Sequence, residues 1–126
     1  MVLPLKSKNV VVEKSKSFAI RIVNLYKYLC EEKKEYILSK QLLRSGTSIG
    51  ANVKEAIRGQ SKADFIHKMN IALKEASESE YWLEILYETD YINEKQFESM
   101  KLDIVELLKL LTSIIKSSKR KEGDNS

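Results

Sequence analysis

Proline and glycine are nearly missing from this chain, with one Pro and four Gly among 126 residues. Both punctuate secondary structure, so their scarcity leaves material for few tight turns and points to long helices. Cysteine is as scarce: Cys30 stands alone, which excludes an intramolecular disulfide and a thiolate metal knot. No apolar run approaches the ~18 residues of a membrane span. The N-terminal stretch lacks the long apolar segment and small-residue cleavage site of a signal peptide. Glycine-rich phosphate loops and serine elbows are absent too. Asp64-x-x-His67 resembles the carboxylate-x-x-His step of di-iron bundles, but those need two such motifs and two further inward carboxylates. The only histidine lies off the apolar seam and reads as solvated. The expectation is a cytoplasmic, non-enzymatic protein without metal, cofactor or membrane contact.

What is present is helical periodicity. The chain is 43% hydrophobic and 32% charged, the balance of a soluble domain with a single core. Apolar residues recur at steps of three and four in four segments. Phe18, Ile22, Leu25 and Leu29 form the first stripe, closed by the charged turn EEKKE. Leu38, Leu42, Ser45, Ile49, Asn52 and Ala56 form the second, with Gly59 as a left-handed helix stop after Arg58. Ser61 and Asp64 read as a capping box. It opens a third stripe of Phe65, Met69, Ala72, Ala76, Ser79, Leu83 and Leu86. Asn93 caps the fourth, which carries Phe97, Met100, Ile104, Leu107, Leu111 and Ile114. This is the seam spacing of an all-α, antiparallel up-down-up-down four-helix bundle. It is placed at residues 15–118, between a flexible or extended arm (1–14) and a disordered tail (119–126). Val10-Val11-Val12 could form a strand within the arm.

The second helix has a further apolar line, Leu43, Gly46, Gly50, Val53 and Ile57. Glycine inside a helix costs ~1 kcal/mol against alanine, so two at a spacing of four want a reason. Either helices approach closely within one bundle, or this face meets another subunit. Tyr81 and Ile85, off the seam of the third helix, add weight to assembly. Asn52 falls in a seam position and wants a partner. With Gln41, Ser48, Glu55 and Glu75 it reads as a buried polar network setting helix register. The competing reading is a ligand site between helices two and three, which lacks a nucleophile–base pair.

The formal charge of +4 is unevenly spread. Residues 40–74 hold seven Lys and Arg against Glu55 and Asp64, whereas residues 75–106 hold Lys95 and Lys101 against ten carboxylates. An antiparallel bundle gathers Lys54, Arg58, Lys62, Lys68, Lys116, Lys119, Arg120 and Lys121 at one end. These eight are the candidate nucleic-acid-binding residues.

Two long motifs carry a family resemblance. One is Arg44-Ser45-Gly46-Thr47-Ser48-Ile49-Gly50-Ala51-Asn52 with Glu55-Ala56. The other is Ser61 with Asp64-Phe65-Ile66-His67-Lys68, running through Lys74-Glu75-Ala76 to Tyr81-Trp82-Leu83. Over about residues 17 to 116 the chain resembles the four-helix-bundle proteins encoded in intervening sequences of bacterial 23S ribosomal RNA genes. These are similar in turn to the accessory bundle protein of diversity-generating retroelements, a basic pentamer that binds RNA and a reverse transcriptase. The resemblance implies a cytoplasmic homo-oligomer, pentameric as in known members, with nucleic-acid association. Location in a ribosomal RNA gene does not by itself make the product a ribosomal component, and the acidic stretch 75–106 departs from a uniformly basic surface. Two function classes stand: an RNA- or DNA-binding ribonucleoprotein accessory module, and an oligomeric protein-interaction scaffold with no nucleic-acid role.

Overall fold

Four helices account for the described residues: α1 (Leu5–Glu31), α2 (Leu38–Ile57), α3 (Lys62–Glu88) and α4 (Glu94–Asp124). The structure, a computed structural model, describes residues 5–124 and the side chains of residues 10–120. No strand occurs among the described residues. Helix α2 packs on α1 and α3, and α4 packs on α3 and, most lightly, on α1; the diagonal pairs make no backbone contact. Paired positions rise along one helix as they fall along its neighbour. Ser45 meets Ser79 while Glu55 meets Lys68, and Lys14 meets Glu106 while Arg21 meets Asp103.

The core is the sum of the four stripes. All seven expected positions of α3 and all six of α4 are buried, as are Phe18, Ile22 and Leu29 of α1. Leu25 and Leu38 are only partly buried. Ile92, in the link between α3 and α4, closes one end of the core at 3% exposure.

Two boundaries differ from the sequence reading. Residues 5–14 are helix rather than a flexible or extended arm, and Val10-Val11-Val12 is helical rather than a strand. Val11 and Ser15 continue the Phe18–Ile22 stripe backwards at steps of four and three, and both are buried. Burial of that stripe overrides the β preference of three consecutive valines. At the other end α4 runs on to Asp124, through the first six residues of the expected tail. Ile114, Ile115 and Ser118 keep it on the core, and no helix breaker intervenes before Gly123. Residues 1–4 and 125–126 lie outside the described residues.

Each of the last three helices has its own start signal. Asn93 and Gln96 form a reciprocal capping box, with the Gln96 N–H donating to Asn93 Oδ1 and the Asn93 N–H to Gln96 Oε1, both at 2.8 Å. Ser61 Oγ accepts from the Asp64 N–H at 3.0 Å, the forward half of the expected box. Helix α2 begins at a residue with no side-chain cap, Ile37, and its cap comes from Glu35 instead. That carboxylate accepts from the N–H groups of Ile37, Leu38 and Ser39 at 3.1, 3.0 and 2.7 Å while only 8% exposed. It neutralises the donors and the positive end of the helix dipole together. Lys34, at φ 53°, turns the chain back so that the Glu35 N–H reaches the Leu29 carbonyl. At the end of α2, Gly59 is not left-handed, since no glycine among the described residues has positive φ. It is needed for space, because an added Cβ would lie 3.0 Å from the Ala56 carbonyl oxygen.

Gly46 is a matter of space as well. A Cβ there would sit 2.7 Å from Cγ1 of Ile22, a fully buried β-branched side chain of α1. At Gly50 the nearest atom is the Ser15 carbonyl oxygen at 3.4 Å, an ordinary contact. The same substitution should therefore act with opposite sign at the two sites. Gly46→Ala is expected to destabilise by about 1–3 kcal/mol through overpacking. Gly50→Ala should be neutral or stabilising by up to ~1 kcal/mol through helix propensity. Urea denaturation at low chain concentration measures both, and equal effects would refute the packing account.

Burial pushes the Glu35 carboxyl up, but its hydrogen bonds from Ser39, Leu38 and Ile37 outweigh this and hold it below the usual 4.5. A group lowered in the folded state contributes stability above its unfolded value and loses it as pH falls through the folded one. Glu35→Gln should cost about 1–2 kcal/mol at neutral pH. The gap from wild type should close as pH drops well below 4.5. A gap that stays constant across the acid range would remove the carboxylate cap as its cause.

Candidate nucleic-acid interface

The link between α2 and α3 is four residues long (58–61), which holds the last turn of one helix beside the first turn of the next. Between them lies an open hollow of about 560 Å³ whose polar walls are Lys54, Glu55, Arg58, Asp64 and Lys68. Lys68 Nζ is 3.1 Å from Glu55 Oε1 and so is partly neutralised. Lys54 and Arg58 are exposed and Lys62 is half-buried; none has a carboxylate within ion-pair distance among the described residues. Lys116, Lys119 and Arg120 lie exposed on the last turns of α4. Lys116 lines a separate shallow hollow with Leu108, Lys109 and Thr112. The side chain of Lys121 is outside the described residues.

The acidic residues behave differently. Glu80 and Glu84 face Lys101, Asp103 takes Arg21 at 2.6 Å, and Glu106 takes Lys14 at 3.0 Å. Arg44 spans from α2 to both Glu75 and Glu78 of α3. Glu78 also accepts from the Trp82 indole N–H at 3.0 Å. That bond first, and Arg44 second, holds the Glu78 carboxyl below its ordinary range against the opposing effect of burial. Much of the negative charge is thus spent tying helices together. The sequence reading missed this chain of contacts, although Glu75, Glu78 and Trp82 are spaced three and four apart on one face of α3.

Two expected groupings do not form. The line Leu43, Gly46, Gly50, Val53 and Ile57 does not form one free subunit face; only Gly50, half-buried, borders an open groove. Gly46 and Val53 are buried, Gly46 under Ile22 of α1, while Leu43 and Ile57 pack partly on the core. Helix α2 has a neighbour on each side, so one chain already uses two apolar lines. Of the expected interface residues, Tyr81 is 54% exposed and Ile85 half-buried on α3.

Nor do Gln41, Ser48, Asn52, Glu55 and Glu75 make a buried network. Gln41 and Glu55 are exposed, and Ser48 donates to the Arg44 carbonyl of its own helix. Asn52 is half-buried and donates to the Ser48 carbonyl at 2.9 Å. Asn52 satisfies itself locally because Val53, about 100° round the helix from it, fills the core position on that turn. The buried polar contact between α2 and α3 is instead Ser45 with Ser79, hydroxyl to hydroxyl at 2.9 Å, both fully buried. His67 is exposed. No group of three or more His, Cys, Asp and Glu side chains could hold a metal among the described residues, and no helix there is long and apolar enough to cross a membrane.

Fold and surface together define a small all-α protein whose described residues form four helices, cross-tied by ion pairs of Lys14, Arg21, Arg44, Lys68 and Lys101. The family model of the 23S rRNA-intervening sequence protein matches residues 7–113, and the chain belongs to that family. A crystal structure of a protein of unknown function from the S23 ribosomal protein family of Bacteroides thetaiotaomicron VPI-5482 is 63% identical, with a TM-score of 0.86. The match covers 87% of this chain and 98% of that one. No curated protein matches.

These contacts reverse the ranking of two polar residues. Asn52→Ala should change stability by less than about 0.5 kcal/mol, since it trades a helix-internal bond for better helix propensity. Ser79→Ala leaves buried Ser45 without its partner across the helices and should cost about 1–2 kcal/mol. Denaturant unfolding of the two variants decides it; a larger loss at Asn52 would restore the buried-network account.

Proposed function

We propose that the protein is a non-enzymatic, oligomeric nucleic-acid-binding or ribonucleoprotein accessory module. On this reading the chain folds up-down-up-down, and the end carrying the α2–α3 link and the last turns of α4 faces the phosphate backbone. The observation that carries it is the mismatch of charge: Lys54, Arg58 and Lys62 lack carboxylate partners among the described residues, while Glu75, Glu78, Glu80, Glu84, Asp103 and Glu106 are each engaged by a cation of the same chain. Phosphate contacts need unpaired cations, because a cation already paired gains little by exchanging partners. The opposed residue pairings along each helix pair support a shared end for α2, α3 and α4. Membership of the 23S rRNA-intervening sequence family supports the nucleic-acid setting. An assembly would repeat the cationic end on every subunit, so weak contacts would add. The residues present offer phosphate contacts without an array for reading bases, so binding is largely sequence-independent.

The alternative is an oligomeric scaffold for protein contacts with no nucleic-acid role. Apolar side chains left exposed on helices, Ile20, Tyr81 and Leu102, favour it.

Titration of RNA and of DNA at several salt concentrations separates the two. Binding should weaken steeply with salt, and Arg58→Glu with Lys62→Glu should lower the log–log slope by about 1–2. The matched reversal of exposed Lys40 and Lys95 should change affinity far less. Equal losses from both pairs, or no binding by the unmodified protein at low salt, would leave the scaffold reading.

A further inference from the structure

The two glycines of α2 are not alike. Gly46 is demanded by Ile22, whereas nothing within the chain demands Gly50, where a Cβ would meet only ordinary contacts. A residue disfavoured in a helix interior is therefore kept at a point where the fold does not require it. Gly50 instead forms the floor of a groove of about 390 Å³ between α1 and α2, with Ala19, Thr47 and Ala51 as its other small residues and Val12 on one wall. The groove is open to solvent. Lys16 and Lys54 stand on its rims, both exposed and without a carboxylate partner among the described residues.

A complementary surface lies on α4. Leu102 is 74% exposed, and half-buried Val105 stands one turn further along the same face. One turn before Leu102 is Glu98, exposed and without a cationic partner among the described residues; Lys101, beside it, is turned to Glu80 and Glu84. The face thus offers a bulky apolar knob with a carboxylate beside it, where the groove offers a small-residue floor with ammonium groups on its rims.

We propose that the α1–α2 groove is the docking site for α4 of a second copy of this chain, entered by Leu102 with Glu98 against Lys16. The proposal rests on the oligomeric part of the reading above and adds which surfaces meet. Groove and knob are different patches of one chain, so the contact is heterologous: each copy offers a knob to one neighbour and a groove to the other. Such a contact closes into a ring or runs on as a filament. Small residues in the floor let a helix approach closely and leave room for a leucine, the arrangement of an interface centre with its charges at the rim.

The test uses two variants at exposed positions, Ala51→Glu to spoil the groove and Leu102→Glu to spoil the knob, with circular dichroism melting to verify that both stay folded. In sedimentation velocity at tens of micromolar chain, the unmodified protein should be an oligomer. Each variant should weaken association by about tenfold or more. An equimolar mixture should form dimers, because the Ala51→Glu chain keeps a sound knob and the Leu102→Glu chain a sound groove. If the unmodified chain is a monomer, assembly and this interface fall together. If it is an oligomer and either variant still assembles as the unmodified chain does, assembly stands and this interface is wrong. If both variants are monomeric yet their mixture yields no dimer, the groove and the knob do not meet, and the proposal is equally overturned.

Discussion

Adjacent residues of one helix, Ser45 and Gly46, set the geometry on which the bundle depends. Ser45 faces α3, where its hydroxyl meets Ser79, and Gly46 faces α1, where the absent Cβ leaves room for Ile22. Residues one step apart on a helix point about 100° from each other, so these two small side chains let α2 approach both neighbours closely at the same level. A bulkier residue at either would move one helix outward and loosen the packing of Phe18, Ile49, Met69 and Leu83 together, since cores transmit such strain. Arg44 stands beside them and bridges to Glu75 and Glu78 over the same stretch of α3. That clamp is largely exposed and adds little energy by itself, but it flanks the buried Ser45–Ser79 contact.

This explains why the motif most indicative of the family says so little about activity. Arg44-Ser45 and the Glu75 to Trp82 run are the two halves of one helix–helix contact. Their side chains are spent on each other: Arg44 on Glu75 and Glu78, Ser45 on Ser79, Trp82 on Glu78. A motif occupied in this way diagnoses an architecture. Functional chemistry has to be sought among side chains the fold leaves without partners.

Where periodicity had a single solution, the sequence was a faithful guide. Helix α3 buries one stripe against its neighbours, and every residue of that stripe could be named beforehand. Helix α2 was harder because it carries a second apolar line beside its seam, with Gly46 of that line under Ile22 of α1. Its second apolar line could equally have been an outside face, since periodicity identifies apolar lines and is silent on what covers them. The start of α1 was obscured by three β-branched residues that read locally as a strand, until Val11 is seen to extend the core stripe. Glu35 was hidden for another reason. It sits in a charged turn that looks generically solvated, and only the fold-back at Lys34 brings its carboxylate onto three N–H groups. Asn52 was misread through a seam assignment one residue out of phase, the seam running through Val53.

Charge shows most plainly how counting along a chain differs from charge in space. Residues 75–106 carry ten carboxylates against two lysines, which suggests a strongly acidic surface. Folding brings Lys14, Arg21 and Arg44 from other helices onto Asp103, Glu106, Glu75 and Glu78, and turns Lys101 to Glu80 and Glu84. A paired carboxylate projects little field beyond a Debye length of about 8 Å at physiological salt, however little its pairing stabilises the fold. What a partner meets is the unmatched remainder. Near the α2–α3 link that remainder, among the described residues, is Lys54, Arg58 and Lys62 against Asp64, a net positive balance, while Lys68 is tied to Glu55. The cationic character of this protein therefore comes less from its net charge than from which of its cations the helices leave unused.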